Sequence, residues 1–363
     1  MTSRLFAVLA VVLFSSCKDP TEETLSYVPE RSDRPLLVSE FADRLDVLEV
    51  QTPYPISGVP VILRSDRYFY LFETEMVTTL YQLDLKGKVL RSLQFEEDGR
   101  LPAAYITQVI LEGDRIGIIL SGDRVTWLDE KLNEIGEEIL PVKAKVHFQD
   151  DFGNIAFTNR IEDGDWEILT YDSVVRSRAL PVDREAYSFY NHTYSQFSQW
   201  REGVLFSRAF NDTIYFWEGG EFRPLVHIDL GARAFPREKL YGVTHPPDFG
   251  KIIRSPEYSY LIGEVFGLHG QRIMFQLMDE SRRKLALMDL SSKQLTFYPG
   301  IIDNSMTGMN LVFPQFSEDG ILYFGISGEE IQENYGALPA SFKHRLSETY
   351  DESYFIYLLK VKK

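Results

Sequence analysis

The sequence predicts an all-β fold, a six-bladed β-propeller. Three observations carry the prediction. Hairpin patterns recur at a near-constant interval, aromatic content is high at 13% with 25 Phe and 20 Tyr, and helical periodicity is scarce. Aromatic and β-branched side chains suit pleated, half-buried surfaces. Recurrence at blade length, four strands per unit, separates a propeller from a β-sandwich, which explains the strands but not their period.

Residues 1–16 are expected to form a cleavable lipoprotein signal peptide. Arg4 supplies the positive start, and residues 5–14 form an apolar run too short to span a bilayer of about 30 Å. Ser15 and Ser16 are small and precede Cys17, the sole cysteine among 363 residues. The pattern resembles a bacterial lipobox, with Phe14 where Leu is usual. Lipid is expected on the Cys17 sulfur and amine, because two or more acyl chains give stable anchoring where one does not. Residues 17–40 are expected to form the lipidated cysteine and its tether, beginning with the polar run 18–23. That run resembles the Lys-plus-acid export signal of Bacteroidetes lipoproteins. The expected location is the cell envelope, anchored to the outer membrane and exposed at the surface.

Residues 41–363 are expected to form one propeller domain. The first hairpin runs 79–84, turns at 85–87 and returns over 88–93, with Gly87 able to take the positive φ the turn needs. The pattern returns at 124–140, 166–180, 212–228 and 284–298. The turns centre near 86, 131, 173, 219 and 291, so the first three intervals are about 45 residues, as a four-stranded blade requires. The longer last interval holds an insertion at 231–254. A further strand precedes each of the first four hairpins, at 67–72, 115–120, 154–158 and 203–207. A sixth unit begins at 320–325 and ends at 354–361. Residues 45–50 are expected to supply the strand that closes the ring and hides open sheet edges. The interruption 329–352 is expected to hold short helices near 329–335 and 341–346.

Several segments resemble six-bladed β-propeller lipoproteins of Bacteroidetes, an uncharacterised family. They are Leu83-Asp84-Leu85-Lys86-Gly87-Lys88-Val89-Leu90, Phe210-Asn211-Asp212-Thr213-Ile214-Tyr215, and the run from Arg223-Pro224 to Gly231 with Pro236 following. The closing strand 357–363 is similar as well. The chain departs from the pattern after the first blade, where 98–102 replaces a Gly-Pro-Glu segment. It also lacks an Asn-Pro before the last strand. The resemblance implies the fold and the anchor, and no activity.

Composition excludes some functions. The net charge of −16 repels phosphate backbones and anionic lipid headgroups, so no nucleic-acid partner is expected. No nucleophile-elbow, zincin, phosphate-loop or EF-hand motif occurs. The six His have no i, i+4 pair, and neither a metal site nor a cofactor is expected. The densest polar-aromatic stretch contains Tyr190, Asn191, His192, Tyr194, Gln196 and Trp200. Rings beside amides and imidazole can grip sugars or flat ligands, and core packing is the plain alternative. Asp172-Ser173-Val174 and Asp212-Thr213-Ile214 resemble short O-glycosylation sites of exported Bacteroidetes proteins, on Ser173 and Thr213. Two functions lead, with regulation of a neighbouring membrane complex a third. One is a non-catalytic binding or scaffold module for an extracytoplasmic ligand, glycan or protein. The other is a hydrolase or lyase with its site at the central channel, since propeller sites assembled from separate blades leave no local motif.

Overall fold

The computed structural model describes residues 24–362, apart from 55, 57–58, 74–76, 96–100, 151–152, 159–164, 184, 186–195 and 312. Six antiparallel sheets form a six-bladed β-propeller. From the channel outward, blade 1 comprises Val61–Arg64, Tyr68–Glu73, Thr79–Asp84 and Val89–Gln94. Blade 2 comprises Ile106–Glu112, Arg115–Leu120, Arg124–Leu128 and Glu134–Ile139. Blade 3 comprises Val146–Asp150, Gly153–Phe157, Trp166–Tyr171 and Val175–Pro181. Blade 4 comprises Phe197–Trp200, Gly203–Phe206, Thr213–Glu218 and Glu221–Ile228. Blade 5 comprises Ser259–Gly267, Arg272–Asp279, Arg282–Asp289 and Gln294–Tyr298. Blade 6 comprises Phe316–Glu318, Ile321–Ser327, Tyr354–Val361 and the N-terminal Ala42–Val50. The ring therefore closes within one sheet, where Tyr354 pairs with Val50 and Lys360 with Arg44.

The turns predicted from sequence join the third and outer strands, and an Asp organises four of them. Asp84 accepts the Lys86 and Lys88 amides, and Asp129 those of Lys131 and Asn133. Asp172 accepts the Val174 amide, and Asp289 those of Ser291 and Ser292. A short carboxylate at a strand end mimics a backbone acceptor and fixes the turn. Gly87 sits at φ 88°, where a side chain would also meet the Glu49 carbonyl.

Packing between blades uses the aromatic content. Phe206 of blade 4 lies 5.6 Å from Phe157 of blade 3, ring centre to ring centre, and 5.0 Å from Phe197 of its own blade. Such contacts add about 0.5–1.5 kcal/mol each beyond area burial. Strand two of blade 4 crosses close to strand three. A Cβ on Gly203 would stand 2.2 Å from the Trp217 carbonyl oxygen, so only glycine fits.

The N-terminal segment differs from the plain tether expected through residue 40. Leu25–Tyr27 pairs in parallel with the outer strand of blade 4. Glu30–Arg31 does the same on blade 5, and Leu36–Leu37 pairs with Ile301–Ile302. Residues 25–50 thus run as a belt over blades 4, 5 and 6. Each pairing covers backbone groups that an outer strand would otherwise leave open. Tyr27 is buried among apolar side chains of blades 4 and 5. Arg31 reaches the fully buried Asp279, which Lys284 (2.7 Å) and Ser259 (2.5 Å) also hold. The strands are too short, and too polar at Glu30–Arg31, to show an alternating pattern. Helices Gly328–Glu333 and Ala340–Lys343 stand where 329–335 and 341–346 were expected. A helix at Pro246–Ile253 lies inside the insertion after blade 4.

Candidate functional site

The two ends of the ring are unequal. At one end the connections join strands one to two and three to four. They run from 113–114 at the shortest to 129–133 at the longest. The strands that flank the longer intervals 51–60, 95–105, 182–196, 229–258, 299–315 and 328–353 all end and begin at the other end. Every long connection therefore starts and finishes at one face, called here the excursion face. Connections that carry function sit on a rigid scaffold in this way. Among the described residues, the exposed aromatic side chains Tyr54, Tyr105, Trp166, Tyr241 and Tyr335 all belong to that face. The exposed aliphatics Leu85, Leu90, Ile135, Ile139 and Val174 lie on the turn face or the outer rim.

The channel encloses a cavity of about 210 Å³ lined by the inner strands of all six blades. Several of its polar side chains hold blades together. Gln108 bonds the backbone of His147, and Ser198 accepts the Gly267 amide at 2.8 Å while lying 3.0 Å from Ser317. Arg64 donates to the Tyr323 hydroxyl at 2.9 Å and stands 3.6 Å from Glu318. His147 is buried, with Nδ1 2.8 Å from the Tyr171 hydroxyl and Nε2 2.8 Å from the Gly122 carbonyl. Burial lowers its pKa to about 4, so the ring is neutral and each nitrogen has a partner.

A second cluster joins blades 3 and 4 to the 229–258 insertion on the excursion face. Glu167, at the start of the third strand of blade 3, receives Arg208 Nη1 at 2.5 Å; both are buried. Arg208 follows the second strand of blade 4. Burial raises the Glu167 carboxyl, while Arg208 and then Arg237 oppose the rise. Arg237, from the insertion, lies 3.3 Å from Asp183. The Tyr241 hydroxyl donates to the same Asp183 oxygen at 3.4 Å. Asp183 raises the pKa of Tyr241, chiefly by its charge. Glu167 Oε1 and Arg208 Nε are buried and have no hydrogen-bond partner. Beside this cluster, Phe210, Phe235 and Tyr260 pack ring on ring beneath the insertion.

The residues singled out in sequence scatter. Tyr190, Asn191, His192 and Tyr194, like Cys17, lie outside the described residues. Gln196 is fully buried at the excursion end of blade 4, and neither polar atom of its side chain has a partner. Trp200 stands at the opposite end of the same inner strand. It is buried, donates to the Leu268 carbonyl at 3.1 Å and packs edge-on against Phe216. Gln196 and Trp200 therefore do not share a surface. Ser173 is exposed in a turn of blade 3, whereas Thr213 is half-buried and donates to Asp212 at 3.0 Å. Sequence reading missed Glu167, Asp183, Arg208, Arg237 and Tyr241. They come from separate segments with no shared local pattern. No group of three or more His, Cys, Asp or Glu placed to hold a metal occurs among the described residues. No helix among them is long and apolar enough to cross a membrane.

No protein-family model matches the chain, and no curated protein matches it in sequence. Solved structures do resemble it. A Bacteroides fragilis protein described as exported superposes with a TM-score of 0.71 at 15% identity, over 94% of this chain and 100% of that one. PorZ, a surface component of the type IX secretion system of Porphyromonas gingivalis, gives 0.38 at 7% identity, over 75% and 36%. The Pan2 WD40 domain of Neurospora crassa gives 0.41 at 8% identity, over 88% and 96%. The likeness to the Bacteroides fragilis structure is one of fold, and that fold is the six-bladed β-propeller.

Proposed function

We propose that this chain is an exported, lipid-anchored binding module that engages an extracytoplasmic ligand through its excursion face. One observation carries the ligand face: every long connection and every exposed aromatic among the described residues belongs to it. Export and anchoring rest on the apolar run ahead of Cys17. The Bacteroides fragilis protein of similar fold, described as exported, agrees with that reading. The channel suits a structural part, because the Gln108 amide, the Ser198 hydroxyl and the His147 ring each engage another blade.

Two experiments test this. A Cys17→Ser chain should leave the envelope fraction and lose lipid labelling; unchanged fractionation overturns the anchor. In a glycan and peptide binding screen, Tyr54→Ala, Tyr241→Ala or Tyr335→Ala should weaken a hit. Leu85→Ala and Val174→Ala on the turn face should not. The reverse pattern overturns the assignment of the ligand face.

A further inference from the structure

We propose that Trp166, Asp183, Arg237 and Tyr241 form a subsite for a neutral oligosaccharide. The inference rests on the excursion face being the ligand face, and it names the ligand class. Tyr241 and Trp166 are large rings left open to water. Tyr241 is not a loose side chain, since its hydroxyl is tied to Asp183 and Asp183 is tied to Arg237. Trp166 pairs in the sheet with Pro181, and the Val182 amide donates to the Asp165 carbonyl at 2.9 Å. The chain then reaches Asp183 at once. Trp166 and the linked Tyr241–Asp183–Arg237 group thus stand at the same end of blade 3.

That combination matches a pyranose. One face of the sugar is a sheet of C–H groups that stacks on an aromatic ring, and its edge carries paired hydroxyls. A carboxylate accepts from one hydroxyl while a guanidinium donates to its neighbour. Beneath the rim, Glu167 Oε1 and Arg208 Nε are buried with hydrogen-bonding capacity left over. A ligand hydroxyl or an ordered water that it positions would use that capacity. Local charge selects against anions. The carboxylates of Glu167 and Asp183 pair with the guanidiniums of Arg208 and Arg237, and Glu185 adds a further negative charge near Tyr241. A polyanion would also meet the chain's net charge of −16. Peptides that add to sheets are held by main-chain pairing at an open edge, whereas the groups offered here are side chains.

The test is titration calorimetry of the full chain with hexasaccharides of glucose, mannose, xylose and N-acetylglucosamine, with heparin and a mixed peptide pool alongside. At least one neutral hexasaccharide should bind saturably. Tyr241→Ala and Trp166→Ala should each weaken it about tenfold, as loss of an anchoring aromatic does. Tyr241→Phe, which keeps the ring, should weaken it less. Tyr105→Ala, elsewhere on the face, should leave it unchanged. All these rings are exposed, so melting temperatures should not move. No binding of any hexasaccharide, or binding indifferent to loss of both rings, overturns the inference. If only heparin or a peptide binds, and excursion-face substitutions weaken it, the sugar assignment fails and the ligand face stands. If turn-face substitutions weaken binding instead, both fail.

Discussion

Gln108 in the inner strand of blade 2 holds the backbone of His147 in the inner strand of blade 3 at two points. The Gln108 Oε1 accepts the His147 amide at 2.7 Å, and its Nε2 donates to the His147 carbonyl at 2.8 Å. The innermost strand of each blade has no neighbour on its channel side, so its outward backbone groups need partners. Here the adjacent blade supplies them. Ser198 does the same for the Gly267 amide. Side chains that would otherwise face a ligand in the channel thereby hold the ring together.

Gln108→Leu should therefore destabilise the fold by about 2–6 kcal/mol, because two buried backbone groups lose their partner at about 1–3 kcal/mol each. Gln108→Glu keeps an acceptor for the amide and should cost less. Urea unfolding monitored by tryptophan fluorescence measures both. A Gln108→Leu midpoint equal to that of the wild type would show that water replaces the amide at no cost.

His147 gives the fold a defined acid sensitivity. In the folded chain its pKa is lowered to about 4 by burial, while an unfolded histidine titrates near 6.5. Between those values the unfolded chain binds the extra proton. This contribution is fully present above about pH 6.5 and is lost progressively as pH falls toward 4, amounting to about 3 kcal/mol. His147→Gln should be less stable at pH 7 and should lose less stability between pH 6.5 and 4. Denaturation midpoints of both proteins across that range, with parallel slopes, would refute the assignment.

The Glu167–Arg208 pair should behave as a unit. Arg208→Met leaves a buried carboxylate with its nearest counter-charge gone and should cost about 3–5 kcal/mol. Adding Glu167→Leu should restore most of that loss, since two apolar side chains of similar volume can replace a buried ion pair. A double-mutant cycle of thermal unfolding reads the coupling, and simple additivity would mean the two groups act independently.

The belt should contribute through Tyr27 more than through its exposed residues. Tyr27 is buried between blades 4 and 5, so Tyr27→Ala should cost about 3–5 kcal/mol, as for other large buried aromatics. Val28 is 74% exposed, and Val28→Ala should change stability by less than about 0.5 kcal/mol. Detachment of the belt also opens the outer strands of blades 4 and 5, so Tyr27→Ala should aggregate sooner on heating, by light scattering. Equal stability of the two variants would show that the belt is not part of the folded unit.

The blades were legible because their signals are local. An Asp such as Asp84 or Asp289 ends a strand and captures amides two to four residues on. Alternation of side chains over a few residues marks each strand. The closing strand was legible as well, because 45–50 and its partner 354–361 are short runs rich in apolar and β-branched residues. The belt was not, because Leu25–Tyr27 and Glu30–Arg31 become strands only where an outer edge already waits for them.

The site depended wholly on assembly. Gln196 and Trp200 are four residues apart, yet the extended inner strand sends them to opposite ends of the ring. Glu167, Asp183, Arg208 and Tyr241 are far apart in the chain and meet because neighbouring blades and one insertion converge on one face. Turn chemistry and side-chain alternation reach only a few residues along the chain. Burial, charge pairing and the sharing of a surface arise between segments, and only the closed ring brings those together.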